Sequence, residues 1–105
     1  MENNYLQLET EIVNALKTVY DPEIPVNIFD LGLIYEIDVR ENNNVYIKMT
    51  LTAPNCPLAD DVVRDVKEAV GRIPGVSSVD VELTWNPPWN KDMMSEEAML
   101  ELGLL

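Results

Sequence analysis

The order of predicted elements is α-β-β-α-β-α, a small α/β domain of the α+β type with helices covering one face of a short sheet. Three observations lead there. Two segments repeat apolar residues at steps of three and four, and three shorter segments alternate apolar and polar residues. The breaks between them carry proline, glycine or asparagine, residues whose backbone preferences end regular structure. With 105 residues, 47% of them hydrophobic, the chain is one domain able to bury a core without staples.

Tyr5, Leu8, Ile12, Leu16 and Val19 put an amphipathic helix over residues 5–19, ended by Asp21-Pro22 because the residue before proline avoids helical dihedrals. Residues 21–30, Asp-Pro-Glu-Ile-Pro-Val-Asn-Ile-Phe-Asp, form a proline-braced loop too apolar for a solvated linker. Leu33, Tyr35, Ile37 and Val39 alternate in a strand over 33–40. Glu41-Asn-Asn-Asn44 is turn chemistry, since asparagine tolerates left-handed dihedrals. Val45, Ile47, Met49 and Leu51 make the partner strand.

Pro57 suits the first turn of the second helix, where its missing N–H costs nothing. Leu58, Val62, Val66, Ala69, Val70 and Ile73 form that helix's buried stripe, and Pro74-Gly75 stops it. Val79, Val81 and Leu83 alternate in a third strand reaching Trp85, and Asn86-Pro-Pro-Trp89 breaks it. Ser95 caps a short final helix, with Glu96 and Glu97 in the first turn where the dipole favours them. Residues 86–105 form an apolar C-terminal extension, with Met93, Met94, Met99, Leu100, Leu102, Leu104 and Leu105 needing a surface to pack on.

Composition narrows the chemistry. There is one cysteine and no histidine. A Cys-His or Ser-His pair has no base, and a closed zinc site lacks its ligands. Nineteen acidic against seven basic residues give a net charge of −12, which repels phosphate backbones and makes nucleic acid an unexpected partner. The start, Met-Glu-Asn-Asn-Tyr, lacks signal-peptide regions, and no apolar run approaches the roughly 20 residues of a membrane span. The expected location is the cytoplasm, where an unpaired cysteine stays reduced.

Cys56 lies between Asn55 and Pro57, after a strand and before a helix. A buried small hydrophobe is the ordinary fate of such a residue, but the flanking prolines indicate a loop. A helix entrance favours thiolate, whereas Asp60, Asp61 and the net charge favour the thiol. Asp21, Glu23 and Asp30 read either as turn-makers or as carboxylates brought to the same end of the sheet as Cys56. Thr50 and Thr52 read as exposed strand residues, with Thr52 bordering the cysteine loop. Of the two tryptophans, Trp85 reads as a core residue and Trp89 as a lid for that loop.

Three segments together carry a resemblance: Asp21-Pro-Glu-Ile-Pro-Val-Asn-Ile-Phe-Asp-Leu-Gly-Leu-Ile-Tyr35, Met49-Thr-Leu-Thr-Ala-Pro-Asn-Cys-Pro-Leu-Ala59, and Trp85-Asn-Pro-Pro-Trp89 with Met94-Ser-Glu-Glu-Ala98. In order and spacing the chain resembles the PaaD-like, SufT-type proteins of iron–sulfur cluster biosynthesis associated with the SUF system, over nearly its whole length. The resemblance implies a two-layer α/β sandwich with a small mixed sheet, akin to the C-terminal domain of NifU-type scaffolds. It implies assembly of iron–sulfur clusters or their delivery to clients, without enzymatic turnover, and it marks Asp21, Glu23, Thr52 and Cys56. Met99 stands where relatives carry arginine after Ser-Glu-Glu-Ala.

Clusters usually take four thiolates or their substitutes. One chain offers Cys56 alone, so the expected cargo is a transient cluster, ligated in part by a second copy or by small thiols, and none is held tightly. The expected partners are iron–sulfur scaffold or carrier proteins, apo-clients and a homodimer mate. The rival readings are a non-metal-binding adaptor for apo-clients, an accessory subunit of a phenylacetyl-CoA oxygenase-type complex, and, last, a thiol enzyme with a carboxylate base.

Overall fold

The computed structural model describes residues 4–21, 24–52 and 59–103. Helix α1 (Asn4–Leu16) is followed, after the 24–32 loop, by strand β1 (Ile34–Arg40), which hairpins into β2 (Asn44–Met49). Helix α2 (Ala59–Gly71) then crosses to β3 (Ser78–Leu83), and α3 (Glu96–Glu101) follows. The sheet order is β1-β2-β3, with β1 antiparallel and β3 parallel to β2. This is the predicted element order with a mixed sheet.

Period-2 patterning sets the two faces of the sheet. Ile37 and Val39 pair with Ile47 and Val45, and these with Val81 and Val79, while Met49 pairs with Leu83. That row joins Leu8, Ile12 and Leu16 of α1 and Val62, Val66 and Val70 of α2 in one core. Full burial of such a side chain stabilises by about 1.5–3 kcal/mol. The other face carries Glu36, Lys48 and Glu82 across one row and Asp38, Tyr46 and Asp80 across the next.

The turns follow residue chemistry. Asn42 and Asn43 take φ of 62° and 60° in the hairpin, the left-handed region asparagine tolerates. Gly75 (φ 98°) turns the chain after α2. Ser95 Oγ accepts from the Ala98 amide at 3.1 Å, so the predicted cap of α3 is present.

Several details differ from expectation. Helix α1 ends at Leu16, short of Val19: Thr18 turns its hydroxyl back onto the Ala15 carbonyl at 2.6 Å, and the chain tightens into a turn. Val19 remains buried, because the Ile28 amide reaches its carbonyl at 2.9 Å. Tyr35 leaves the buried row, since a register shift between Ile34 and Glu36 inserts an extra residue there. Thr50 is fully buried rather than exposed. Trp85 is 40% exposed rather than a core residue, while Trp89 packs on the core; the cysteine loop that Trp89 is expected to cover lies outside the described residues. Pro57 and Leu58 lie outside the described residues.

Candidate functional site

The sheet ends evenly on one side. Ile34 at the start of β1 pairs with Met49 at the end of β2, and Met49 with Leu83 at the end of β3. The next residues are clipped to this row. The Thr50 amide donates to the Leu33 carbonyl at 2.9 Å, and the Thr84 amide to the Met49 carbonyl at 2.9 Å. The 24–32 loop, the segment after Thr50 and the 84–93 segment therefore all leave the sheet at one end. Helix α2 runs from this end back to β3, since Ser77, just past it, bonds the Asn43 carbonyl beside the hairpin.

The 24–32 loop is rigid for identifiable reasons. Val26, Ile28 and Leu31 are core residues, so the loop is pinned by apolar burial. Asn27 and Asp30 clasp each other: Asn27 Nδ2 donates to Asp30 Oδ2 at 2.8 Å, and the Asp30 amide donates to Asn27 Oδ1 at 2.9 Å. The Asp30 carbonyl also accepts from the Ser95 amide at 2.8 Å, tying the loop to the start of α3. Asp30 is thus a loop-builder, the turn-making alternative of its sequence reading.

Asp21 is buried at the loop's entrance, and its Oδ1 accepts from the Ile24 amide at 3.1 Å. Thr52 is half-buried two residues beyond the Thr50 clip. These two sit on segments that converge on the same end of the fold, without a hydrogen bond between them. Glu23 and Cys56 lie outside the described residues. Among the described residues no group of three or more His, Cys, Asp or Glu side chains is arranged to hold a metal ion.

Sequence reasoning passed over Tyr35. Its hydroxyl donates to the Pro87 carbonyl at 2.8 Å and stands 3.6 Å from Met93 Sδ. Burial raises its pKa above the ordinary tyrosine value, and a hydrogen bond with the Thr50 side chain opposes that shift. The signal available in sequence was Gly32, three residues earlier. It adopts φ 83°, and a Cβ there would fall on the Met93 carbonyl oxygen. A glycine demanded by close backbone approach marks a strap crossing the loop. Trp89 completes the strap by donating its indole N–H to the Leu31 carbonyl at 2.6 Å.

Known proteins share this architecture. The family described as "Iron-sulfur cluster assembly protein" matches residues 9–83. An "Fe-S protein maturation auxiliary factor" of Porphyromonas gingivalis is 60% identical over 105 residues, covering all of both chains. An "Iron-sulfur cluster carrier protein" of Mycobacterium leprae is 31% identical over 101 residues, which are 96% of this chain and 24% of that protein. A crystal structure of a domain of unknown function from Bacillus anthracis superposes with a TM-score of 0.87 at 41% identity, covering 94% of each chain.

Proposed function

This chain belongs to the iron–sulfur cluster assembly protein family, and on that premise we propose that it serves iron–sulfur protein maturation through the thiol of Cys56, without catalytic turnover. The cluster is cargo rather than a resident group. One thiolate per chain leaves most of the usual four positions to a second copy, to small thiols or to the recipient protein. Incomplete ligation of that kind favours release, which suits hand-over to an apo-client.

The observation that carries this reading is the convergence of the 24–32 loop, Thr52 and the start of α2 on one end of the sheet. In sequence, Cys56 lies between Thr52 and Ala59. In the proposed site Asp21 braces the loop through the Ile24 amide, Thr52 offers a hydroxyl beside the cysteine segment, and Glu23 supplies a carboxylate. Scaffold or carrier proteins and apo-clients are the proposed partners, in the cytoplasm.

The test is deletion of the gene with a panel of iron–sulfur enzyme activities, complemented by wild type and by Cys56→Ala. Loss of the panel that only wild type restores supports the thiol reading. Full restoration by Cys56→Ala would make the protein an adaptor that recruits clients without holding cargo. Loss confined to a single oxygenase would make it an accessory subunit of that enzyme. Anaerobic reconstitution with iron and sulfide should give charge-transfer absorption in wild type and none in Cys56→Ala.

A further inference from the structure

The outer face of the sheet carries a groove that the maturation chemistry does not use. It is shallow and open, with a volume of about 610 Å³, and is lined by the apolar Ile34, Tyr35, Pro87 and Met93 together with Glu36 and Lys48. A depression of this size can seat one large side chain against its apolar floor and leave the adjoining backbone in solvent. A methionine wall re-packs around differently shaped guests at little cost.

Inside the groove Glu36 and Lys48 are cross-strand neighbours of opposite charge, and the acidic excess lies on the outer face beside it. The outer face presents Glu36, Asp38, Asp80 and Glu82 against Arg40 and Lys48. Arg40 is already committed, bonding Asp38 at 3.0 Å and lying 4.4 Å over the Tyr46 ring. Among the described residues, Glu36 and Asp80 form no ion pair. The chain as a whole carries a charge of −12, so a second copy or an acidic partner is repelled from this face.

We infer that this groove is the docking site for a basic protein segment that inserts one apolar anchor residue between Ile34, Tyr35, Pro87 and Met93 and sets flanking lysines or arginines against Glu36 and Asp80. The apolar walls supply affinity, and the carboxylates supply orientation and association rate. Ile34, Pro87 and Met93, which line the groove, belong to the same end of the sheet as Thr50. The inference rests on the proposed function only for what the segment belongs to, a client or a carrier.

The experiment uses the ¹⁵N-labelled full chain and two synthetic peptides with the same central leucine, one flanked by lysine and arginine and the other by glutamate. The basic peptide should shift the amide resonances of Ile34, Glu36, Lys48 and Met93, and the acidic peptide should not. Replacing the leucine by glycine should abolish the effect. Affinity should fall about tenfold in Glu36→Lys/Asp80→Lys and by less in Glu36→Gln/Asp80→Asn, both with wild-type amide dispersion. It should also fall as salt rises from about 0.1 M to about 1 M, where screening shortens from about 10 Å to about 3 Å. Equal binding of both peptides, no binding of either, shifts confined to the helical face, or unchanged affinity in the charge-reversed variant would each overturn the inference. These readouts are made on the wild-type thiol, so they fail separately from the Cys56→Ala client panel.

Discussion

The indole N–H of Trp89 donates to the backbone carbonyl of Leu31 at 2.6 Å, joining residues 58 apart in sequence. Leu31 is fully buried at the heart of the 24–32 loop, so this bond fastens the C-terminal strap to the loop's own core. Trp89→Phe keeps much of the packing but leaves that carbonyl without its donor, which costs about 1–3 kcal/mol. A urea titration should show a lower midpoint with an unchanged slope. The exposed Trp85, replaced by Phe, should stay within about 0.5 kcal/mol of wild type.

Gly32→Ala should be more damaging than its one methyl group suggests. The backbone there has φ 83°, and the added carbon meets the Met93 carbonyl. A non-glycine residue in a left-handed conformation costs about 1–3 kcal/mol before any clash is counted. The variant should also move the strap, read as changed amide shifts at Tyr35 and Met93. Shifts confined to Gly32's immediate neighbours would show that the strap does not depend on this close approach.

Asp21 separates scaffolding from function. Asp21→Ala removes the acceptor of the Ile24 amide and should destabilise by about 1–3 kcal/mol, as leaving a partly buried donor without its partner does. Asp21→Asn keeps an acceptor oxygen and should melt close to wild type. If the carboxylate charge serves the maturation site, Asp21→Asn will still fail to restore iron–sulfur enzyme activities in cells. Restoration by Asp21→Asn would assign the residue to the loop alone.

Tyr46 should titrate late. Its hydroxyl donates to Glu82 Oε1 at 2.7 Å, and that bond is the main reason its pKa is pushed up to about 12, with desolvation and the charges of Glu82 and Glu36 adding and Arg40 opposing. The folded pKa lies above the unfolded value of 10, so the contribution to stability is complete below about pH 10 and fades as pH rises towards 12. Ultraviolet titration of tyrosinate should show one component near 12 that is absent in Tyr46→Phe and shifts downward in Glu82→Gln. Persistence of that component in Glu82→Gln would place its cause elsewhere.

The architecture was legible wherever one local rule sufficed. Val45, Ile47 and Met49 alternate into the core as their spacing requires, and Asn42 and Asn43 turn the hairpin with the dihedrals their side chains permit. What escaped was decided by partners distant in sequence. Tyr35 looked like an inward strand residue until a register shift against β2 turned it towards Pro87 and Met93. Thr50 looked solvent-facing, yet it is enclosed at the sheet's end beside Tyr35. Trp85 and Trp89 share one motif, and only the position of the Leu31 carbonyl decides which indole is drawn inward. At the candidate site, sequence left open whether the acidic loop and the segment after β2 share one end of the sheet, and the Ile34–Met49–Leu83 row decides it for the described residues. The Asn27–Asp30 clasp, which makes Asp30 a builder of that loop, needs both side chains in place to be recognised.

Because Ile34, Met49 and Leu83 stop in register, the 24–32 and 84–93 segments depart from one flush edge, and each carries part of the hydrophobic interior with it. Transplanting them between relatives should therefore preserve folding cooperativity only when both move together, since Trp89 bonds the Leu31 carbonyl and Ser95, just past the second segment, bonds the Asp30 carbonyl. Divergence within such a lineage is then expected to alter the two segments in concert.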